Sequence, residues 1–139
     1  MHLEIFSDTV CPWCYIGKRR LERALRERPM PGLTIRWRAF QLNPGMPGGG
    51  MDRQQYMAAK FGSAERAARL FDTVTRVGAE EGIRFAFDRI SRTPNTMRSH
   101  RLLALAAHHG CQSQVLDRLF AAYFAEGRDI GQTSVLLDI

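Results

Sequence analysis

Phe6-Ser-Asp-Thr-Val-Cys11-Pro-Trp-Cys14-Tyr-Ile-Gly17 joins an apolar run to an amphipathic one through a pair of cysteines, and the reading of this stretch decides the fold. Ahead of the cysteines, Leu3, Ile5 and Phe6 suit a short buried strand of about five residues. Asp8 and Thr9 then offer turn and cap chemistry. Beyond the cysteines, Gly17, Leu21, Ala24 and Leu25 recur at three- and four-residue steps, with Lys18, Arg19, Glu22 and Arg26 on the other face. That pattern is an amphipathic helix beginning at the cysteine motif. It stops near Pro29-Met-Pro-Gly32, because proline disfavours a helical predecessor and donates no backbone hydrogen bond. Leu33, Ile35 and Trp37 alternate with Thr34, Arg36 and Arg38, which predicts a second strand reaching toward Phe40. A strand-helix-strand unit of this kind places its strands parallel, with a right-handed crossover.

The position of the cysteines carries the chemistry. A thiol attacks a disulfide as thiolate, and the free thiol pKa of about 8.5 leaves little thiolate at neutral pH. A helix N-terminus favours the anion through its unpaired amides and partial positive charge. Cys11 falls where the helix begins and Cys14 one turn further in, which predicts an exposed nucleophile and a resolving thiol behind it. Pro12 suits a first helical position, where its missing donor costs nothing. Trp13 adds apolar surface beside the sulfur. Asp8, if it lies close, opposes thiolate formation by like-charge repulsion.

Two cysteines at this spacing also form half of a zinc site, which would need His108, His109 and Cys111 as the other half. Those residues have an ordinary reading at a helix end, where histidine complements the dipole and a cysteine packs as a free thiol. His100, on a helix with Leu103 and Ala107 on its apolar side, reads by itself as structural.

Asn43-Pro-Gly-Met-Pro-Gly-Gly-Gly50 holds too many breakers for regular structure and reads as a mobile loop. It lacks the lysine and the serine or threonine of a phosphate-cradling loop. Everything after it has helical periodicity, over roughly 52–61, 63–81, 94–109 and 112–126. Leu116, Leu119, Phe120, Tyr123 and Phe124 mark the buried side of the last of these. Thr133-Ser-Val-Leu-Leu-Asp-Ile139 reads as a further helix with no stop signal. These spans divide the chain into 1–44, a strand-helix-strand half; 45–50, a Gly/Pro-rich linker; and 51–139, a helical unit.

The 139 residues are 45% hydrophobic and 24% charged, which is ordinary for one globular domain. The net charge of +6 raises the question of an acidic partner. However, the arginines from Arg19 to Arg128 are interspersed with Glu22, Glu27, Asp72, Glu80 and Asp117. There is no basic block with interleaved aromatics, so neither nucleic acid nor membrane is expected as a partner. Glu4 and Asp8 fall where an export signal needs an apolar core, and a cytoplasmic setting is expected. Three cysteines in such a chain argue against a disulfide framework.

The opening stretch resembles the DsbA-like thioredoxin-fold oxidoreductases, and most of all their FrnE-like cytosolic branch. Phe40-Gln-Leu-Asn-Pro44 and Pro94-Asn-Thr-Met-Arg-Ser-His-Arg-Leu102 are similar to that branch as well, so the likeness covers nearly the whole chain. The resemblance implies an α/β fold in which an all-helical domain is inserted into a thioredoxin-like βαβ unit. It implies thiol-disulfide oxidoreductase or isomerase activity on protein or small-molecule thiols, with Cys11 and Cys14 as the redox pair. It also implies that Asn95, Thr96 and His100 face the active-site cleft. No bound cofactor or metal is expected. Glutathione is the candidate redox partner and a homodimer the candidate assembly. The family continues into further strands, a last helix and a cis-proline loop. No such segment follows here, which is expected of an N-terminal portion or of a chain completed by a partner. Related kappa-type transferases and hydroxychromene-carboxylate isomerases are an alternative reading, against which Cys11 weighs, since they usually carry serine there. A thiol-based chaperone or sensor is a third.

Overall fold

In the computed structural model, which describes all 139 residues, strand β1 (His2–Ser7) and strand β2 (Thr34–Ala39) pair in parallel, from His2 opposite Thr34 to Ser7 opposite Ala39. Helix α1 (Pro12–Glu27) makes the crossover. The chain then forms β3 (Met51–Asp52), α2 (Arg53–Phe61), α3 (Ala64–Glu80), a 3-10 turn (Phe87–Arg89) and β4 (Arg92–Thr93). Helices α4 (Met97–His108) and α5 (Gln112–Phe120), a π-helical turn (Ala121–Ala125) and α6 (Thr133–Leu137) complete it. No helix is long and apolar enough to cross a membrane.

A continuous core joins the strand-helix-strand half to the helices. Tyr15, Ile16 and Trp37 pack in one cluster with Val74, Leu116, Phe120 and Phe124. Tyr15 stacks on Phe120 with ring centroids 4.8 Å apart, and Phe85 stacks on Phe87 at 4.9 Å and meets Phe124 edge-on. Such pairs add about 0.5–1.5 kcal/mol each beyond the apolar area they bury. Glu81, at the end of α3, accepts from both Arg20 and Arg23 of α1 at 2.9 and 2.7 Å, which ties the two helices together.

Several expectations need correction. Lys18, placed by periodicity on the solvent face of α1, is 1% exposed. Its ammonium pairs with Glu22 and, at 2.8 Å, with Asp117 of α5, and lies over the Trp37 ring. The helices cover that side of α1, and a lysine can be buried where its charge meets two carboxylates. The region after residue 51 is not wholly helical, because β3 and β4 pair antiparallel, Met51 opposite Thr93. Pro94 does not open a helix. It holds Thr93 extended, and α4 starts at Met97 after Asn95 Oδ1 accepts from the Met97 amide. The Gly/Pro-rich stretch is tied down rather than loose. Met46 is buried, its carbonyl accepts from Asn95, and the Gly49 carbonyl accepts from Arg92. Gly50 has φ +76°, and a Cβ there would stand 2.7 Å from the Thr93 carbonyl, so this close approach requires glycine.

Candidate active site

Strand β1 ends at Ser7, and the Asp8–Val10 turn delivers Cys11 to the N-cap of α1, with Pro12 in the first turn. Cys11 is extended (φ −94°, ψ 111°), its amide donates to the Asp8 carbonyl at 3.2 Å, and its carbonyl accepts from Cys14 and Tyr15. Both cysteines are free thiols and both are half-buried, so burial does not separate an exposed thiol from a hidden one.

The two thiols titrate as a pair. The Cys11 thiol donates to the Cys14 sulfur, which lowers Cys14 to about 6 and raises Cys11 above the ordinary range. Burial works against both anions, and the Asp8 carboxylate opposes a charge on Cys14. In the other direction, the backbone amides of Trp13 and Cys14 favour charge on Cys11. The Asp8 amide and the Ser7 hydroxyl favour it on Cys14. The Ser7 Oγ is buried and has no other hydrogen-bond partner. The pair therefore loses its first proton easily and holds its second, as coupled sites do. Alkylation of the reduced protein by iodoacetamide is expected to be half-maximal near pH 6 and to fall away below it as the thiolate is protonated. A midpoint at the free-thiol value would show that the pair is not coupled in solution.

Beside the dithiol lies a cleft of about 390 Å³. Val10, Cys11, Pro12 and Trp13 form one side of it, and Cys14 does not line it. The opposite wall is one face of α2, where Arg53, Tyr56, Met57, Lys60 and Phe61 follow at helical spacing. Phe71, Phe87 and Phe124 make an aromatic floor, and no carboxylate lines the cleft. Arg53 has no acidic partner and lies over the Phe71 and Phe87 rings at 5.0 and 5.4 Å. Burial lowers its pKa. Thr93, 2% exposed, also lines the cleft and leaves its hydroxyl unpartnered. Tyr123, on the π-helical turn, has its phenol pushed up to about 12 by burial.

The structure does not bring all the expected residues to this cleft. Asn95 donates to the Met46 carbonyl beside the glycine loop, in a separate hollow with Arg98 and Asp129. Thr96 is buried near Gln41. His100 is buried and stands 3.0 Å from the Asp8 carboxylate, in the turn that precedes Cys11. None of the three lines the cleft. The only sequence signal for Arg53, Tyr56 and Lys60 is their three- and four-residue spacing, which places them on one helix face. His108, His109 and Cys111 end α4 and enter α5, and no three His, Cys, Asp or Glu side chains converge as a metal site.

A Cys-x-x-Cys pair at the start of a helix that follows a parallel strand, with an aromatic cleft at its mouth, is the site of a thioredoxin-type dithiol protein. The model of the DSBA-like thioredoxin domain matches residues 2–139, and the chain belongs to that family. It is 33% identical to a probable DsbA oxidoreductase from Streptomyces coelicolor, whose crystal structure superposes with a TM-score of 0.88 over 99% of this chain and 60% of that one. The cytosolic disulfide reductase DsbM from Pseudomonas aeruginosa, solved with GSH, is 25% identical with a TM-score of 0.62 over 99% of this chain and 62% of that one. The uncharacterized protein YwbO of Bacillus subtilis is 25% identical over 98% of this chain and 62% of its own length. The chain thus spans about three-fifths of the length of these relatives.

Proposed function

We propose that this protein exchanges thiols and disulfides through Cys11 and Cys14, with small anionic thiols such as glutathione among its substrates. The observation that carries the reading is that Cys11 lines the cleft while Cys14, hydrogen-bonded to it, does not. In the reducing direction the Cys11 sulfur, its proton passing to the Cys14 thiolate, attacks a substrate disulfide, forms a mixed disulfide and expels one thiolate, which takes that proton from Cys14. Cys14 then attacks the Cys11 sulfur, closing the protein disulfide and releasing the second thiolate. The substrate gains the two electrons the dithiol loses, and the reverse sequence oxidises a dithiol. The shared proton supports exchange rather than the transferase reading, because it serves a second thiol that a serine-type site lacks.

Arg53 and Lys60 support an anionic substrate, since they place two cations in a cleft without a carboxylate. The DsbM structure with GSH supports glutathione in particular. A cytosolic setting is supported by the location given for DsbM. Arg53→Ala is expected to raise KM for oxidised glutathione about tenfold, the worth of one charge-assisted hydrogen bond. It should leave KM for uncharged hydroxyethyl disulfide unchanged. Equal effects on the two substrates would remove Arg53 from substrate recognition.

A further inference from the structure

Past Lys60 the dithiol cleft opens into a second hollow, of about 590 Å³, at the turn between α2 and α3. The two share Lys60, Phe61, Leu70 and Thr73, so they form one continuous surface. Arg66 and Arg69, in the first two turns of α3, complete the hollow, and no carboxylate lines it. Local chemistry fixes the turn. Gly62 closes α2 at φ +83°, and the Ser63 hydroxyl accepts from the Arg66 amide at 3.2 Å to start α3.

The cations of this hollow are not neutralised from within the protein. The Lys60 ammonium donates to the Tyr56 hydroxyl at 2.8 Å and lies over the Phe61 ring at 5.9 Å. Arg69 has Glu65 one turn before it and Asp72 one turn after, yet no ion pair of the protein involves Lys60, Arg66, Arg69, Glu65 or Asp72. With about 3.6 residues per turn, Arg66, Arg69, Leu70 and Thr73 share one stripe of α3, and Glu65 and Asp72 fall beside it. Neighbouring cations without a counter-charge repel one another and attract an anion. Lys60 stands on α2 and the arginines on successive turns of α3, so the charge is spread along an open surface. That spread suits carboxylates spaced along a chain, which arginine pairs with well. Leu70, half exposed between the cations and the cleft, gives the same chain an apolar contact.

We propose that this hollow docks the acidic flank of a polypeptide disulfide, an extended segment whose sulfur reaches Cys11 while its carboxylates lie along Lys60, Arg66 and Arg69. The proposal rests on the exchange reading above and extends it from small thiols to a class of protein substrate.

The test follows single turnovers of the reduced full chain with three synthetic peptides. Each carries one cysteine in disulfide linkage to 2-thiopyridine. They differ only at the second, third and fourth positions on either side, a reach of about 7–13 Å, which hold glutamate, glutamine or lysine. Cys11 bonds the peptide sulfur and releases the pyridine thiol, and Cys14 then displaces the peptide thiol. The two protein thiol protons end on those two products, and the peptide disulfide gains the two electrons that the dithiol loses.

The absorbance of the released pyridine thiol gives the rate constant. The glutamate peptide is expected to react about tenfold faster than the glutamine peptide, and the lysine peptide more slowly than both. The difference should vanish as salt rises from about 0.01 M to about 1 M, where the screening length shrinks from about 30 Å to about 3 Å. Arg66→Glu/Arg69→Glu should reverse the order of the glutamate and lysine peptides. Arg101→Glu/Arg118→Glu, the same charge change at exposed positions of α4 and α5, should keep it. Thermal unfolding reports whether each variant is folded. If the charge reversal does not fold, Arg66→Ser/Arg69→Ser takes its place and should level the three peptides.

Equal rates for the three peptides in the wild type would overturn this proposal and leave the exchange reading standing. An equal loss of preference in the two charge-reversed variants would overturn it too, since overall charge rather than the hollow would then steer the peptide. Release of pyridine thiol from none of the peptides would instead end the exchange reading, and this proposal with it.

Discussion

Cys14→Ser is expected to trap its substrate. With the resolving thiol gone, the mixed disulfide on Cys11 has no intramolecular exit, so the protein should accumulate one equivalent of bound glutathione, measurable as added mass that reductant removes. Cys11→Ser should bind none in the cleft, because the remaining sulfur does not line it. Turnover should fall about a thousandfold or more in either variant, as it does when members of a catalytic unit are removed singly. The contrast between the two variants is the informative result. Equal trapping by both would mean that the sulfurs exchange roles, and that the N-cap position of Cys11 does not determine which one attacks. The coupling supports a division of labour, since the charge of the reduced pair is favoured at Cys14, which can take the proton of Cys11, while the substrate reaches Cys11.

Phe120→Ala should destabilise the protein by about 3–5 kcal/mol, the usual cost of emptying a fully buried aromatic site. Phe120 is 0% exposed and stacks on Tyr15, one residue beyond Cys14. Domains of this kind hold about 5–15 kcal/mol in all, so the loss should move the urea midpoint far down with little change in slope. The effect should extend to the site, because Phe120 also meets Phe124, which lines the cleft. A loss below about 1 kcal/mol would mean that the core can collapse around the vacancy.

Much of this fold is legible in short stretches of sequence. The alternation of Leu33, Ile35 and Trp37 and the breakers at Pro29 and Pro31 bracket β2 and end α1 closely. Local rules work where local forces dominate, and proline and glycine act on their own backbone. They fail at Lys18, whose burial depends on Asp117, nearly a hundred residues away. They fail also at Pro94, which follows β4 and precedes a turn, so that the helix expected from residue 94 starts only at Met97. The π-helical turn at Ala121–Ala125 leaves no sequence signature, because its apolar spacing matches that of the helix it continues.

The candidate site divides along the same line. Cys11, Pro12 and Cys14 follow from the sequence by itself, because a dithiol at a strand-to-helix junction needs nothing distant to place it at a helix N-terminus. Whatever faces that dithiol is decided by tertiary structure. Arg53 and Lys60 enter the cleft because α2 packs across from Trp13. His100, implied by family likeness to face the cleft, does not line it and pairs with Asp8. Periodicity within one helix states which residues share a face and carries no information on which element that face will meet. That pairing is settled by the packing of a whole core.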